Sequence, residues 1–459
     1  MSQNGKKDSG PSRRSFLKLA GTSAAAAFAA GMGAMSRRAS ADDIPTPKAD
    51  PIKFVAGKYP TGPIQATGRV VGANDRILVA VIGVGGQGFG AHVGTCVDKD
   101  KEVNVEAIGT CDCYTPRIER AQKKMTTDGR PKIQGEKDYR KILDNKDVDA
   151  VFVATPEHWH GQISGHAMEA GKHVYCEKPM VRYLDEAFQL VDIQKKTGKV
   201  FQLGIQYTSG KKWHDIGAAL KAGKIGPLVA GQGSYCRNAG AKGEWNYPID
   251  AGAGPDNLDW NTWLGSAPKR EWNEDSKSRF FRYRKYWDYS AGILGDLMPH
   301  KLGPFLIASG NPEYPVRVTS IGTRKISLDR EVDDNVEVMA EFPSGWTMLF
   351  TGSTVNEQGL PDLFRGHKGT IQFGGDSAKL APERPFSEEV EGAEIAKGPE
   401  GNVPDHHRNF YEAIRTGKLN NCPVELGAKI QTILSLAEMS SRTNKMMLFD
   451  EKTREAKPG

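Results

Sequence analysis

Cysteine is scarce in this 459-residue chain, which has six, and no two of them form a CxxC pair. No histidine-rich metal spacing accompanies them, so zinc is not predicted, and small buried thiols are favoured over disulfides. The sequence also has no internal repeat. Its hydrophobic content of 38% and charged content of 26% are typical of a globular protein and exclude a disordered or integral membrane class.

A real excess of positive charge is also missing. The formal net charge is +6, but residues 1–41 contain seven basic residues against Asp8 alone. The remaining chain has 55 basic and 55 acidic residues. A neutral body offers no general attraction to polyanions, so a nucleic-acid partner is not predicted.

The charged beginning has the pattern of an export signal. Twin arginines, Arg13 and Arg14, precede an Ala-rich, weakly apolar run at 19–35, and an A-x-A cleavage pattern ends at Ala41. The run is short and rich in Ala and Gly, so it makes a poor membrane-spanning helix. We expect a twin-arginine signal peptide over 1–41, export by the twin-arginine translocase to the periplasm, and no membrane attachment after cleavage.

Residues 42–75 are rich in Pro, Gly and small side chains, which indicates an extended arm. After the arm, apolar strands alternate with helical segments up to residue 206. Strands that are apolar throughout predict a parallel sheet covered by helices on both faces. The five predicted strands are 77–83, 103–112, 148–155, 173–179 and 199–206.

The pattern changes near residue 207. Alternating strand-like runs follow, two of them joined by the hairpin signal Pro343-Ser344-Gly345. These runs predict an open, mainly antiparallel sheet, with a loop at 376–404 and two final helices at 405–417 and 424–443. The expected fold class is therefore α/β: a Rossmann dinucleotide-binding domain at 76–206 and an α+β substrate-binding domain at 207–450.

A glycine-rich turn follows the first strand. Gly83, Gly85 and Gly88 form a GxGxxG motif, and Gly86 and Gln87 complete it. Glycines let the backbone approach a pyrophosphate at the start of a helix. Asp112 ends the second strand, about where a ribose-binding carboxylate belongs. Its charge would repel a 2′-phosphate, so NAD is favoured, with NADP left open.

The stretch at 154–180 resembles the Gfo/Idh/MocA oxidoreductases. The resemblance rests on Thr155-Pro156, His160 and Glu177-Lys178-Pro179 at this spacing, and it extends to LDWNTWLGSAP at 258–268 and GILGDLMPH at 292–300. It covers most of residues 76–445. It implies that these six residues border the nicotinamide cofactor, with Lys178 beside the nicotinamide, and that the bond before Pro179 is cis.

The resemblance further implies a catalytic set of Lys178, Asp296 and His300, with the last two four residues apart on one helix. Oxidation of a carbinol needs a base for the hydroxyl proton, and histidine titrates near neutral pH. His300 is therefore the preferred base, and Lys178 and Asp296 would orient the substrate and relay the proton. The residues leave open whether His300 or Lys178 accepts the proton.

One departure from the family affects the reaction. Many members carry an acid four residues after the histidine, where this chain has Pro304. A branch of the family hydrolyses glycosides through a transient NAD oxidation and has a similar His-x-Leu-Gly-Pro turn. We therefore expect an oxidoreductase acting on a sugar, polyol or sugar derivative, with an NAD-dependent glycosidase as the alternative.

Substrate-binding candidates are polar or aromatic. Five of the eight tryptophans lie within 245–287, and such rings both stack on sugars and fill interfaces. Trp260 and Trp263 are the chosen candidates there, together with Gln206 and Tyr207 at the end of the fifth strand. The resemblance also implies a homodimer or homotetramer.

Export and a nicotinamide site conflict, because no free nicotinamide pool exists outside the cytoplasm. The twin-arginine route carries folded proteins. A cofactor bound before export and never released would resolve the conflict, so we expect a tightly held cofactor.

Overall fold

A computed structural model of the chain describes residue 72 and residues 75–126 and 133–459, all of which belong to one compact unit. The predicted signal peptide and all but two residues of the predicted arm lie outside these ranges. None of the helices in them combines the length and apolar character that a membrane crossing requires.

The first sheet has six parallel strands in the order β3-β2-β1-β4-β5-β6. Strands β1, β4 and β6 are buried almost throughout, because helices cover both faces of the sheet. The order reverses between β1 and β4, and ligands bind outside the carboxyl ends of strands at such a point. The strands are β1 (Ile77–Ile82), β2 (Val105–Cys111), β3 (Gln134–Glu136), β4 (Ala150–Val153), β5 (His173–Glu177) and β6 (Phe201–Gly204).

Helices connect these strands, and the one after β1 begins with a π-helical turn at Gly88–Val93. The α-helices up to residue 221 are α1 (Gly94–Asp98), α2 (Asp100–Val103), α3 (Thr115–Met125), α4 (Tyr139–Asp144), α5 (Glu157–Glu169), α6 (Leu184–Thr197) and α7 (Lys211–Lys221). The later ones are α8 (Trp260–Leu264), α9 (Glu274–Phe281), α10 (Ile293–Asp296), α11 (Pro299–Ala308), α12 (Val403–Thr416) and α13 (Val424–Thr443).

The second sheet is open, mixed and mostly antiparallel, as predicted; β7 and β10 form its parallel pair. Strand β8 alternates exposed and buried positions strictly, because α13 covers one face only. The strands are β7 (Leu228–Asn238), β8 (Arg317–Thr323), β9 (Asn335–Glu341), β10 (Thr347–Ser353), β11 (Val355–Asn356), β12 (Leu363–Gly366), β13 (Gly369–Gly374), β14 (Ser377–Pro382), β15 (Ala393–Lys397), β16 (Met447–Asp450) and β17 (Glu455–Pro458).

The loop predicted at 376–404 is wrong in part, because β14 and β15 lie within it. The buried apolar residues of these two strands are only Ala378, Leu380 and Ala396. The same strands also contain the charged residues Lys379, Glu394 and Lys397. Such short strands near a sheet edge give a weak pattern in sequence. Strand β14 is held by pairing with β13, and the edge strand β15 by pairing with β14. The short β3 and the final hairpin of β16 and β17 were also not predicted.

A buried ion pair fastens the first sheet region to the last long helix. Arg182, just after β5, donates from Nη1 and Nη2 to the two carboxylate oxygens of Glu438 on α13 at 2.7 and 2.8 Å. Its Nε and Nη2 also donate to the carbonyl of Trp287 at 3.0 and 2.7 Å. The Arg182 side chain is 2% exposed, so removal of its partner would leave a buried charge without compensation.

We expect Glu438→Ala to lower the free energy of unfolding by about 3–5 kcal/mol, the usual cost of breaking a buried pair. The matched control is Asp192→Ala, which breaks the exposed two-bonded pair with Arg454 and should cost at most about 1 kcal/mol. Urea unfolding of the three proteins measures the difference. Equal destabilisation by both substitutions would contradict this account.

Candidate active site

The glycine turn after β1 brings two backbone segments into close contact. Gly83 has φ +87°, and a Cβ there would lie 2.6 Å from the carbonyl carbon of Ala154. A Cβ on Gly88 would lie 1.9 Å from the carbonyl oxygen of Gly83. Only glycine therefore fits at either position. By contrast, a side chain at Gly86 would meet no atom within 4 Å and would extend into the adjoining cavity.

That cavity has a volume of about 880 Å³ and runs along the carboxyl edge of the first sheet towards the second. Among the residues predicted from sequence, its lining includes Gly83, Gly85, Gly86, Gln87, Asp112, Thr155, Pro156, Glu177, Lys178, Gln206, Trp263, Asp296 and His300. Gly88, His160, Pro179, Tyr207 and Trp260 do not line it.

Asp112 holds the glycine turn in place. Its carboxylate accepts hydrogen bonds from the backbone N–H groups of Val84 and Tyr114, both at 3.0 Å. Arg117 lies 3.7 Å away. The carboxylate is buried but borders the cavity, which is the position predicted for a ribose contact.

Glu177 connects the glycine turn to the lysine motif. Its Oε1 accepts from Gln87 Nε2 at 2.9 Å and lies 3.0 Å from His92 Nε2. His92 in turn contacts His407 at 3.0 Å. Burial would raise the pKa of the Glu177 carboxyl, but the hydrogen bonds from His92 and Gln87 and the charge of Lys178 bring it well below its usual range. The residue is therefore an ionised anchor.

His160 and Pro179, two further residues of the 155–179 motif, lie outside the cavity lining. His160 lies 2.7 Å from the carbonyl of Pro179 and 2.8 Å from that of Thr155. It bridges the segments that follow β4 and β5, and it does not border the cavity. The Lys178–Pro179 peptide bond is cis, as the resemblance implies.

Lys178 and Asp296 form the central ion pair of the cavity. The Lys178 Nζ donates to Asp296 Oδ1 at 2.6 Å and to its carbonyl oxygen at 2.7 Å. Both side chains are 9% exposed. Arg284 Nε donates to the same Oδ1 at 2.8 Å, and Trp245 Nε1 donates to Oδ2 at 2.7 Å. Burial would raise the pKa of the Asp296 carboxyl, but Arg284 and Lys178 hold it far below its usual range.

The expectation that Asp296 and His300 share one helix is wrong. Asp296 ends α10, and His300 lies in α11, which begins at Pro299. The N–H of His300 donates to the carbonyl of Leu297. The carbonyl of Asp296 is taken by Lys178, so the hydrogen bond that a continuous helix would place there is replaced by the contact to lysine.

His300 is half-buried beside the ion pair. Its ring packs edge-on against Tyr207 with centroids 5.5 Å apart, and it is tilted against Tyr235 at 6.2 Å. Burial and then the charge of Lys178 lower the pKa of His300 to about 3. The near-neutral pKa expected for His300 is therefore wrong, because burial disfavours the charged ring. The imidazole is neutral at physiological pH, and its buried Nδ1 has no hydrogen-bond partner in the described part of the chain.

Of the four substrate-binding candidates predicted from sequence, two border the cavity and two do not. Gln206 and Trp263 border the cavity, and Tyr207 supports the ring of His300. Trp260 does not border the cavity, which corrects the prediction. Its ring stacks on Trp263 at 4.8 Å and its Nε1 donates to the carbonyl of Arg270, so it serves an aromatic cluster.

A segment of the second half covers the far end of the cavity. Residues 250–260 pair with the loop after β2: Asp259 N donates to Cys113 O and Thr115 N to Asn257 O, both at 2.9 Å. The hydroxyl of Tyr114 donates to Asp250 at 2.7 Å. Phe280, from α9, lies 4.6 Å beneath the Arg117 guanidinium and borders the cavity. We call residues 250–260 together with Phe280 the covering segment.

Sequence reasoning missed several of these contacts. Trp245 and Arg284 both hold Asp296, and nothing in the sequence around either residue indicates that contact. Trp245 has φ +59°, which is strained for a bulky residue and which sequence alone does not signal. Glu157, also missed, packs beneath Gly295 and receives the N–H of Ala291 at 3.0 Å; burial raises its pKa to about 7.

Two family models match most of the chain. Residues 77–205 match the oxidoreductase family, NAD-binding Rossmann fold, and residues 242–457 match the oxidoreductase family, C-terminal alpha/beta domain. The chain belongs to the Gfo/Idh/MocA oxidoreductase family. The first sheet and the helices that cover it form the NAD-binding Rossmann domain of this family member.

Curated relatives include a glycosyl hydrolase family 109 protein of Shewanella pealeana, 30% identical over 227 residues, which are 49% of this chain and 45% of the relative. A glycosyl hydrolase family 109 protein 2 of Shewanella sp. strain ANA-3 is 34% identical over 232 residues, 50% and 46% of the two chains. The match spans about half the length of these relatives.

Solved structures share the fold at low identity. Levoglucosan dehydrogenase in complex with NADH and levoglucosan has a TM-score of 0.60 at 18% identity, over 81% of this chain and 98% of that one. The WlbA dehydrogenase of Bordetella pertussis, in complex with NADH and UDP-GlcNAcA, has a TM-score of 0.60 at 16% identity. The match covers 82% of this chain and 99% of that one.

The site residues fit a nicotinamide dinucleotide. The glycine turn leaves open space at Gly86 where a pyrophosphate would lie, and Asp112 borders the cavity at the ribose position. All six cysteines are free thiols. Within the described ranges, no group of three or more His, Cys, Asp or Glu side chains is arranged to hold a metal ion.

Proposed function

We propose that this family member oxidises a CH–OH group of a sugar, polyol or sugar derivative by hydride transfer to a tightly held nicotinamide cofactor. The observation that carries the proposal is the Lys178–Asp296 ion pair. It lies at the carboxyl end of β5, in the same cavity as the glycine turn and beside a neutral His300. Asp112 favours NAD over NADP.

The cofactor, when bound, supplies the hydride acceptor. Gly83, Gly85, Gly86, Gln87 and Asp112 would hold its phosphate and ribose groups. The chain's own residues would then orient the carbinol and remove its proton.

Lys178 is fixed by two oxygens of Asp296, so its ammonium is a positioned donor for the substrate oxygen. His300 is uncharged and has an unpartnered Nδ1, so it can accept the hydroxyl proton. We assign the base to His300, with Lys178 and Asp296 as orienting and relaying groups. Trp245 and Arg284 keep the Asp296 carboxylate in place.

A second candidate is an NAD-dependent glycosidase that returns the hydride to the same sugar after bond cleavage. The observation in its favour is the set of relatives called glycosyl hydrolase family 109 proteins. Both reactions use the same cavity and the same first redox step.

We infer export by the twin-arginine translocase with cleavage after about Ala41, which N-terminal mass analysis of the exported protein tests.

Ile321 and Met339 are 63% and 55% exposed on the open face of the second sheet. That face supports a homodimer or homotetramer, which the native mass in solution tests.

A panel of free sugars and glycosides separates the two reactions. The protein carrying its own cofactor is mixed with each compound, and near-ultraviolet absorbance and released sugar are followed together. The expected result is lasting cofactor reduction that a second sugar or carbonyl compound reverses. Glycoside cleavage without lasting reduction would assign the hydrolase reaction instead.

In the same assay, Lys178→Met should lower turnover by about a hundredfold to ten-thousandfold, the usual range for a lost proton-transfer group, and leave the cofactor bound. The matched control is Lys301→Met, which breaks the neighbouring pair with Asp362 outside the cavity and should keep turnover. Full activity in Lys178→Met would contradict the assignment.

The covering segment accounts for a cofactor that does not leave. Phe280 closes the cavity beneath Arg117, so Phe280→Ala should speed nucleotide loss during dialysis by about tenfold, roughly 1.4 kcal/mol. Phe188→Ala, also at a buried position but away from the cavity, controls for lost stability. Nucleotide is measured after denaturation. Wild-type protein that releases none when freshly denatured would refute tight binding.

A further inference from the structure

Two arginines in the substrate half of the cavity have more donors than the protein uses. Arg284 donates to Asp296 through Nε only. Its guanidinium carbon lies 4.6 Å from the ring centroid of Tyr283. Arg237 places Nε 2.8 Å from Glu244. Within the described ranges, neither arginine has an acceptor for its Nη1 or Nη2, and both side chains border the cavity.

The carboxylates of the cavity are already engaged. Asp296 receives Lys178, Arg284 and Trp245. The others are each held within their own local group: Glu177 by Gln87 and His92, Asp112 by backbone N–H groups, and Asp250 by Tyr114. No carboxylate lining the cavity is therefore left to pair with the terminal nitrogens of the two arginines.

The two arginines act on the same part of the cavity. Arg284 donates to Asp296. The Arg237 guanidinium lies 5.9 Å from the ring centroid of Tyr235, and that ring packs against His300 with centroids 6.2 Å apart. Burial raises the pKa of the Tyr247 hydroxyl, and the charges of both arginines oppose that rise. Tyr247 borders the cavity and its hydroxyl has no hydrogen-bond partner among the described residues. Arg237 also acts electrostatically on His300. A group bound between these side chains would thus lie next to the proposed reaction centre.

We propose that the substrate is an anionic sugar, one that bears a carboxylate or a phosphate ester read by the terminal nitrogens of Arg284 and Arg237. This inference rests on the proposed function. A guanidinium presents two parallel N–H groups that match a carboxylate or a phosphate, and it does so more strongly when partly buried. Each guanidinium already has one carboxylate at its Nε, so the added recognition comes from the terminal nitrogens, and a neutral hydroxyl would meet them with a weaker, uncharged hydrogen bond.

An anion at this position would also help the chemistry. Burial and then Lys178 lower the pKa of His300 most, and Arg237 adds the smallest of the contributions. A negative charge bound to Arg237 would offset that last contribution and shift the pKa of His300 upward.

Matched sugar pairs test the proposal on the protein carrying its own cofactor. The probes are D-glucuronate against D-glucose, D-galacturonate against D-galactose, and glucose 6-phosphate against glucose, each as free sugar and as methyl glycoside. We expect kcat/KM for cofactor reduction to be at least about tenfold higher for an acid than for its neutral partner. A preference for the uronates identifies a carboxylate, and one for the phosphate identifies a phosphate ester.

Neutral sugars that react as fast as their acids, or faster, would overturn the anionic substrate and leave the proposed function intact. If no compound reduces the cofactor, the proposed function fails, and this inference fails with it.

Substitutions of the two arginines test whether they bind the anionic group of the substrate. Arg237→Gln should reduce the ratio of kcat/KM for acid over neutral sugar by about tenfold, mainly through KM. Arg270→Gln makes the same change in charge at an arginine that pairs with Asp288 outside this cavity, and it should keep the ratio. An unchanged ratio in Arg237→Gln and in Arg284→Lys together would refute the assignment.

Discussion

The ion pair between Lys178 and Asp296 is the contact on which the rest of the site depends. It joins the end of a strand of the first sheet to a short helix of the second half, and both side chains are almost fully buried. Two buried charges are stable only when each is well supplied with partners. Asp296 accordingly receives donors from Lys178, Arg284 and Trp245.

That requirement explains several local features. The carbonyl of Asp296 bonds to the lysine where α10 ends, and α11 begins at Pro299, which has no N–H to continue the first helix. Trp245 has a left-handed backbone at the point from which its indole N–H donates to the carboxylate. On the other side, Glu177 ties the lysine motif to the glycine turn through Gln87 and His92. The cofactor site and the proton-transfer site are thus connected by buried polar contacts.

The sequence predicted the parts of this arrangement that depend on local pattern. Apolar strands alternating with helices predicted the parallel sheet, and the glycine spacing predicted the turn where Gly83 and Gly88 leave no room for a Cβ. The resemblance brought Lys178, Asp296 and His300 together, although Lys178 and Asp296 lie 118 residues apart.

Contacts between distant segments without a motif could not be predicted in the same way. Arg284 and Trp245 are an ordinary arginine and tryptophan until the fold places them on Asp296. The covering segment likewise depends on the pairing of residues 250–260 with the loop after β2. Trp260 was misassigned for a related reason, since tryptophans in a row suit a sugar site and an aromatic core equally well.

The most direct measurement of the central claim follows the hydride itself. Protein carrying its own cofactor is mixed for a single turnover with a sugar deuterated at every carbon, and the reaction is quenched. The mass of the released nucleotide is then measured by mass spectrometry. The account predicts deuterium on the nucleotide in wild-type protein and none in Lys178→Met. Turnover of the sugar without deuterium ever reaching the nucleotide would contradict hydride transfer at this site.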